Sequence, residues 1–300
     1  MMATVVTAYF PMAKSKHSAT EYLSWLENLL SFCESPMVIF TTDAYRSTLT
    51  EIRYRHGPLP THFVVDYASP LEIPPIKRLK TTFQEQLSMD PERDHHTVEL
   101  YAIWSAKSFM LNYSAHINHF RSDFFLYVDA GSFRSKKYRF QKWPGRLPIQ
   151  LITESRLLLS MIAPLPRRFC PLNHSFGASY SPVAFDLVEG GLIGGSSAVV
   201  HWWTTVFYDT IDWYRSRKIF IGKDQHLMNA IALAHADRVL MLLPFRASWW
   251  CGNEWFAYGP LLAHSMLEPP GFVRRCQSRQ SLTDIITQFD KVCSDPYNID

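Results

Sequence analysis

The chain has 300 residues, of which 47% are hydrophobic and 19% are charged. This composition excludes an intrinsically disordered or coiled-coil protein, and the length allows a large core without metal or disulfide support. The formal net charge of +3 is too small to indicate a nucleic-acid or membrane partner.

The first half of the chain alternates apolar strands with amphipathic helices. Near-continuous apolar runs are typical of strands covered on both faces, and they predict strands at residues 4–10, 37–41, 62–66 and 123–129. Ser18 and Glu21 have the spacing of a capping box and predict a helix start. Further helical patterns follow at residues 45–56 and about 98–120, with a proline-rich loop at 69–75. This alternation indicates an open, mostly parallel α/β sheet.

The second half has a less regular pattern. It predicts strands at residues 150–153, 183–188 and 238–243, and helices at residues 154–162, 198–215 and 224–236. We find no repeat and no flexible linker that would separate two autonomous domains. We therefore expect one continuous domain at 1–268 and a peripheral C-terminal tail at 269–300.

The cysteines and the N-terminus indicate a cellular location. Five cysteines are odd in number and widely spaced, without a CxxC pair; this favours free thiols in a reducing compartment. No apolar run approaches the ~18 residues of a membrane span. The N-terminal segment is typical of a strand rather than of a secretory signal. We expect a soluble, cytoplasmic protein.

The strongest chemical signal is a strand that ends abruptly at Asp129 and continues into Ala130 and Gly131. Ligands of open parallel sheets bind beyond the carboxyl ends of strands. A carboxylate there can bind a diphosphate's metal ion, and a glycine lets the backbone approach closely. An aspartate that only caps a turn has the same spacing, so both interpretations stay open.

Two further segments concentrate unusual residues. Four glycines between Gly190 and Gly195 match neither the dinucleotide fingerprint nor the P-loop. They indicate a backbone that passes close to a ligand, or a tight turn or chain crossing. Asp224 lies at a predicted helix start, where capping alone can explain an aspartate. Capping explains less well why polar side chains cluster at residues 223–226.

Other chemical motifs are missing. No histidine pair matches HExxH, and no GxSxG elbow is present. The basic clusters at residues 77–80 and 167–168 are short and are typical of a solvated surface, so we expect no nucleic-acid partner.

The order of these motifs resembles a known family. VTAYF, VIFTTD, Trp104-x-x-Lys107, FFLYVDAGSFR, EGGLIGGS and KDQHLMNA follow one another. Together they resemble the HtrL/YibB-like family of glycosyltransferases, and more distantly the GT-A glycosyltransferases, between about residues 4 and 246. The resemblance implies a GT-A fold, with a nucleotide-binding half at about 1–135 and a donor-sugar and acceptor half at about 136–268.

The resemblance also implies site residues. Those expected to bind the nucleotide-sugar are Thr7, Ala8, Tyr9, Thr41, Asp43, Lys107, Asp129, Ala130, Gly131, Arg134, Gly190, Gly191 and Arg246. Those expected near the reacting carbon are Asp224, Gln225 and Glu189. If the enzyme inverts, Asp224 or Glu189 is the general base; if it retains, Asp224 and Gln225 stabilise the cationic sugar.

The chain departs from the family pattern at the metal. Asp129 corresponds to the first aspartate of the family's Asp-x-Asp element, but the second is Gly131. Where many relatives place a metal-binding histidine, this chain has Arg246. We expect Mn²⁺ or Mg²⁺ at Asp129, because a diphosphate leaving group needs positive charge. Arg246 or Arg134 could instead neutralise the diphosphate directly.

The sequence therefore predicts a glycosyltransferase that moves a sugar from a nucleoside-diphosphate donor, UDP-linked, to an unidentified acceptor hydroxyl. The missing second aspartate supports an alternative, a catalytically degenerate GT-A domain that binds glycans or a protein. An oxidoreductase or phosphoryl-transfer protein would need a glycine-rich fingerprint at the first strand, which is not there.

Overall fold

A computed structural model of the chain describes residues 1–151, 155–170, 172, 183–244, 254–263 and 286–294. These residues form an eight-stranded sheet with the strand order β3-β2-β1-β4-β6-β5-β7-β8. The strands are β1 (Ala3–Tyr9), β2 (Met37–Thr41), β3 (Thr61–Val64), β4 (Phe124–Val128), β5 (Leu157–Met161), β6 (Val188–Ser196), β7 (Val239–Leu242) and β8 (Ile286–Gln288). Four of the seven strand pairings are parallel, which confirms a mostly parallel α/β sheet.

Helices flank the sheet and bury both of its faces. They are α1 (Ala19–Leu30), α2 (Asp43–Arg53), α3 (Pro74–Lys77), α4 (Lys80–Gln86), α5 (Val98–Ile117), α6 (Arg146–Leu151), α7 (Ser197–Ser216), α8 (Asp224–Ala234) and α9 (Tyr258–Leu262). Along β1, Val6 and Ala8 belong to one core cluster, whereas Val5 and Tyr9 belong to the other. Successive side chains of a strand point to opposite faces, so this alternation buries both faces of β1.

The first half of the chain follows the sequence prediction closely. β1, β2, β3 and β4 begin and end within three residues of the predicted bounds. The predicted capping box is present, since the Glu21 amide donates to Ser18 Oγ and the Ser18 amide donates to the Glu21 carboxylate. The long helix α5 is capped by Thr97 and ends at Asn118, whose backbone is left-handed.

The second half required three corrections. The helix predicted at 154–162 is wrong, because residues 157–161 form the fully buried strand β5. The strand predicted at 150–153 is also wrong, because residues 150 and 151 belong to α6. Residues 152–154 lie outside the described residues. The strand predicted at 183–188 begins only at Val188 and runs through the glycines to Ser196. A Cβ on Gly194 would collide with Leu126 of β4, so packing against the neighbouring strand requires that glycine.

Cysteine usage differs from the prediction as well. Of the three cysteines that the structure describes, Cys170 and Cys293 form a disulfide and Cys33 is a buried free thiol. The bond ties residues 286–294 of the expected peripheral tail to the segment after β5. Those residues add β8 to the sheet edge, and Phe289 and Val292 are buried in the core. None of the helices in the described ranges combines the length and hydropathy of a membrane span.

Arg53 forms hydrogen bonds that join the segments around β2 and β3 at one edge of the sheet. Its side chain is buried, and its guanidinium donates to four backbone carbonyls and to the Thr61 hydroxyl. The carbonyls belong to Leu30, Cys33, Ser35 and Pro60. Burial lowers the pKa of Arg53 to about 10. The group therefore keeps its charge at neutral pH and satisfies the polar groups where α1, β2 and β3 meet.

We expect Arg53→Met to lower the free energy of unfolding by about 3 kcal/mol or more, because it leaves several buried acceptors without a donor. Urea denaturation measures this. Arg55→Met is the matched control, since Arg55 forms a surface ion pair with Glu27 that contributes at most ~1 kcal/mol. Equal losses in the two variants would contradict the structural role of Arg53.

We expect the disulfide to survive in protein purified without reductant. The closed loop spans 123 residues, and the chain-entropy relation gives a stabilisation of about 4–5 kcal/mol for a loop of that length. Peptide mapping after alkylation under denaturing, non-reducing conditions should leave Cys170 and Cys293 linked and Cys33 alkylated. The Cys170→Ser variant should unfold at a lower urea concentration. Full alkylation of both cysteines would refute the bond.

Candidate functional site

The strand order places a crevice between β1 and β4. From β1 the chain moves through β2 and β3 toward one edge, whereas β4 lies on the other side of β1. Ligands of open α/β sheets bind where the order reverses, beyond the carboxyl ends of the strands. A cavity of about 250 Å³ lies there, lined by Ala8 and Tyr9 of β1 and by Asp129, Ala130 and Gly131 after β4.

Aromatic side chains form much of the cavity wall. Tyr22 of α1, Tyr45 of α2 and Trp104 of α5 join Tyr9 in the lining. The ring of Tyr9 lies 5.4 Å from that of Tyr45 and 6.3 Å from that of Tyr22, between centroids. Such rings offer flat apolar surfaces with polar ends, which suit a planar base or a sugar.

Lys107 connects Asp129, which lines this cavity, to Gly190 of β6. Its ammonium Nζ lies 3.1 Å from Asp129 Oδ2, 3.0 Å from Asp224 Oδ2 and 2.8 Å from the Gly190 carbonyl oxygen. Only 3% of the Lys107 side chain is exposed. Burial lowers its pKa, but the carboxylates of Asp129, Asp224 and Glu189 outweigh that effect and raise it. Lys107 is therefore a permanent cation shared by two aspartates.

Glu189 is a third carboxyl group beside this pair. Its side chain is buried, and its Oε2 accepts a 2.7 Å hydrogen bond from the Gly191 amide. Burial, together with the negative charge of Asp129, raises the pKa of Glu189 well above its ordinary value. Burial thus favours the neutral form of this carboxyl group.

Two amide side chains, Gln225 and Asn229, form hydrogen bonds between the start of α8 and β6. Gln225 Nε2 donates to the Val188 carbonyl at 2.8 Å, and Asn229 Oδ1 accepts from the Val188 amide at 2.9 Å. Asn229 also donates to the Val183 and Phe185 carbonyls. Gln225 is thus engaged in positioning Asp224 against β6. Sequence reasoning singled out the helix start but missed the role of Asn229.

Two glycines leave the room that the carboxylates need. A Cβ on Gly190 would lie 3.2 Å from Asp224 Oδ2 and 3.3 Å from Gln225 Cγ. A Cβ on Gly191 would lie 2.7 Å from Glu189 Oε1. Side chains at these positions would displace the acidic groups. The glycine segment therefore lies beside the Asp129 strand end, with Lys107 bonded to both.

Tyr258 of α9 contacts the loop after β4 and the glycine segment of β6. Its hydroxyl donates to Ser132 Oγ, in the loop after β4, and lies 3.3 Å from the Gly191 carbonyl oxygen. Tyr258 is fully buried. No pattern in the sequence pointed to Tyr258 or Ser132, because only the tertiary fold brings α9 beneath the loop.

Arg134 lies beside the cavity at Gly131. Its Nε donates to the Gly131 carbonyl at 2.9 Å, and its Cζ lies 4.3 Å and 4.2 Å from the ring centroids of Trp25 and Phe256. Its Nη2 lies 3.7 Å from the position that a Cβ on Gly131 would take. Desolvation lowers the pKa of Arg134, which indicates a guanidinium partly removed from water.

Seven of the expected nucleotide-binding residues that the structure describes do not line the cavity: Thr7, Thr41, Asp43, Lys107, Arg134, Gly190 and Gly191. Thr7 and Thr41 are buried, and their hydroxyls donate to the carbonyls of Val128 and Tyr9, so they join strands rather than line this cavity. Asp43 begins α2 and is exposed outside the cavity lining. Arg246 lies outside the described residues.

The surroundings of Asp129 do not fit a divalent cation held by protein carboxylates. Asp129 and Asp224 both contact the Lys107 ammonium, and Gly131 has no side-chain ligand atom, while its carbonyl accepts from Arg134. Within the described ranges, the group whose spacing could hold a metal is Asp90, Glu92 and His96, with ligand atoms within 4.8 Å of one another. There, His96 Nδ1 lies 2.6 Å from Asp90 Oδ2, and Glu92 lies 3.5 Å from the Lys223 ammonium.

Comparison with known proteins gives little further information. No protein-family model matches the chain, and no curated protein sequence matches it. Among solved structures, the chain is similar to core-mannan synthase A (CmsA/Ktr4) from Aspergillus fumigatus in its Mn/GDP form. The identity is 10%, the TM-score is 0.45, and the match covers 80% of this chain and 72% of that one. A likeness this weak does not establish a family for this chain, and the HtrL/YibB-like resemblance stays a prediction.

We expect Glu189→Gln to gain stability over the wild type as pH rises. The folded state holds this carboxyl protonated while the unfolded chain ionises it above about pH 4.3, so wild-type stability falls between the two pKa values. Glutamine can still accept the Gly191 hydrogen bond and does not ionise. Urea midpoints at pH 4, 6 and 8 measure the difference, with Glu51→Gln on the exposed face of α2 as the control. A pH-independent difference would contradict the assignment.

Proposed function

We propose that this chain is a GT-A-type glycosyltransferase that uses a nucleoside-diphosphate sugar, with UDP-linked donors as the first candidates. One observation carries the proposal. An aromatic-walled cavity lies at the β1–β4 switch point, and Asp129 in its lining contacts Lys107, whose ammonium also contacts Asp224. Strand ends of this kind bind nucleotides, and adjacent acidic groups suit the chemistry at a sugar's anomeric carbon.

The reaction breaks the bond between the anomeric carbon and the diphosphate oxygen, and the diphosphate leaves with the electron pair. A new bond forms from the acceptor oxygen to the anomeric carbon, and the acceptor's proton passes to a base. The transition state resembles an oxocarbenium ion. A buried carboxylate beside it stabilises the developing positive charge, and a fixed cleft holds the two reactants in line.

The structure supports different roles for the acidic groups. We assign Asp224 to the reacting carbon, as the general base of an inverting reaction or as the electrostatic partner of a cationic sugar. The raised pKa of Glu189 favours its protonated form, which suits a hydrogen-bond donor to a sugar hydroxyl better than a base. We assign Asp129, one-third exposed in the cavity, to the hydroxyls of the nucleotide-sugar. Lys107 keeps both aspartates in place.

Three details of the sequence expectation change or stay open in this proposal. No catalytic step is assigned to Mn²⁺ or Mg²⁺, because the carboxylates that would hold the ion share a lysine. A cytoplasmic location is not included, because disulfides are rare in that compartment and Cys170–Cys293 is present. The division into two halves near residue 135 stays a prediction.

Donor hydrolysis tests the activity. We expect the wild type to release UDP slowly from a UDP-sugar, and Asp224→Asn to lower that rate by at least ~100-fold, since it removes the charge at the reacting carbon. A panel of UDP- and GDP-sugars, with and without Mn²⁺, identifies the donor. Asp212→Asn is the control, because Asp212 lies on the surface of α7 and pairs with Arg78.

The outcomes separate the proposal from its alternative. Nucleotide binding without any turnover would favour the degenerate GT-A domain that the missing second aspartate suggests. Absence of nucleotide binding, by calorimetry with either UDP or GDP, would refute both. A fully active Asp224→Asn variant would remove the role assigned to that residue.

A further inference from the structure

A donor diphosphate needs a cation, and the described part of the chain offers few near the cavity. Lys107 is the closest to Asp129, but its ammonium already contacts two aspartates and a carbonyl. Among the described lining residues, His17 is the basic one, and it lies 3.7 Å from the Glu21 carboxylate. A cation for the diphosphate must therefore come from the cavity edge.

Arg134 is held at that edge in a fixed position. The Gly131 carbonyl accepts from its Nε, and the rings of Trp25 and Phe256 contact its guanidinium. Within the described residues, the terminal Nη1 and Nη2 groups have no hydrogen-bond partner. A guanidinium anchored in this way presents two parallel donors and loses little conformational entropy when an anion binds.

Gly131 keeps these donors free. It lines the cavity, and a Cβ at this position would lie 3.5 Å from Tyr22 Cε1 and 3.7 Å from both Arg134 Nη2 and Trp25 Cε3. An aspartate here would bring a carboxylate close to the guanidinium. Glycine in the Asp-Ala-Gly segment therefore removes a potential metal ligand and at the same time leaves a cation unpaired.

We propose that Arg134 binds the donor diphosphate directly and that the site operates without a divalent cation. This inference rests on the proposed function, and it names the group that neutralises the leaving group. The guanidinium would form bidentate hydrogen bonds to phosphate oxygens across the face of Gly131. The partial desolvation of Arg134, which costs free energy in the free protein, is then offset by the anion.

Calorimetry of UDP and GDP binding in EDTA, and again in Mn²⁺, tests the inference. We expect the wild type to bind its nucleotide equally well in both buffers. Arg134→Gln should weaken that binding by ~10- to 100-fold, the loss typical of a charged hydrogen bond. Arg134→Lys should give an intermediate loss, because an ammonium cannot bind bidentately. Arg217→Gln is the control, since Arg217 lies over Trp213 on the surface.

The uncharged nucleoside, uridine or guanosine, separates a lost anion contact from a collapsed cleft. Its affinity should be the same for the wild type and Arg134→Gln. Nucleotide binding that requires Mn²⁺, or an unchanged affinity in Arg134→Gln, would overturn the inference and leave the proposed function standing. An equal loss of nucleoside binding would also overturn it, because Arg134 would then be structural. Absence of all nucleotide binding would refute the proposed function, and this inference with it.

Discussion

The candidate site depends on a single buried ammonium. Lys107 projects from α5 and contacts three other segments, the end of β4, the third residue of β6 and the start of α8. Two carboxylates in a buried cleft would repel each other and resist burial unless a cation lay between them. The lysine makes their approach possible, and the glycines of β6 provide the space.

The acidic groups of this cleft differ in their contact with the ammonium. Asp129 and Asp224 contact it directly, whereas Glu189 is buried beside them without such a contact. Burial raises the pKa of Glu189 well above its ordinary value, and it also raises the pKa of Asp129. Perturbed pKa values of neighbouring titratable groups are characteristic of catalytic sites.

Much of the site could be anticipated because strand ends and helix starts are visible in the sequence. Asp129 follows the most strand-like run, Asp224 opens a helix, and Lys107 occupies a helical position with an apolar surrounding. Tyr258, Trp25 and Phe256 were missed, because isolated aromatic residues do not show which cavity they face. Thr7 and Thr41 fitted the pattern of a binding strand, yet their hydroxyls bond neighbouring backbone, a choice that depends on strand pairing.

The α/β class and the elements of the first half follow from the sequence, since hydrophobic period, capping residues and turn residues act over a few positions. In the second half, the patterns at 198–215, 224–236 and 238–243 likewise predicted α7, α8 and β7, whereas β5 and β6 depend on tertiary pairing. The run at 157–161 is apolar enough for a buried helix or a buried strand, and pairing with β6 and β7 selects the strand. The glycines lie in a strand because their segment pairs with β4 and β5, and Gly194 leaves the space that Leu126 of β4 occupies. Likewise, Cys170 and Cys293 are 123 residues apart, and a bond over that distance depends on the fold that brings the two ends together.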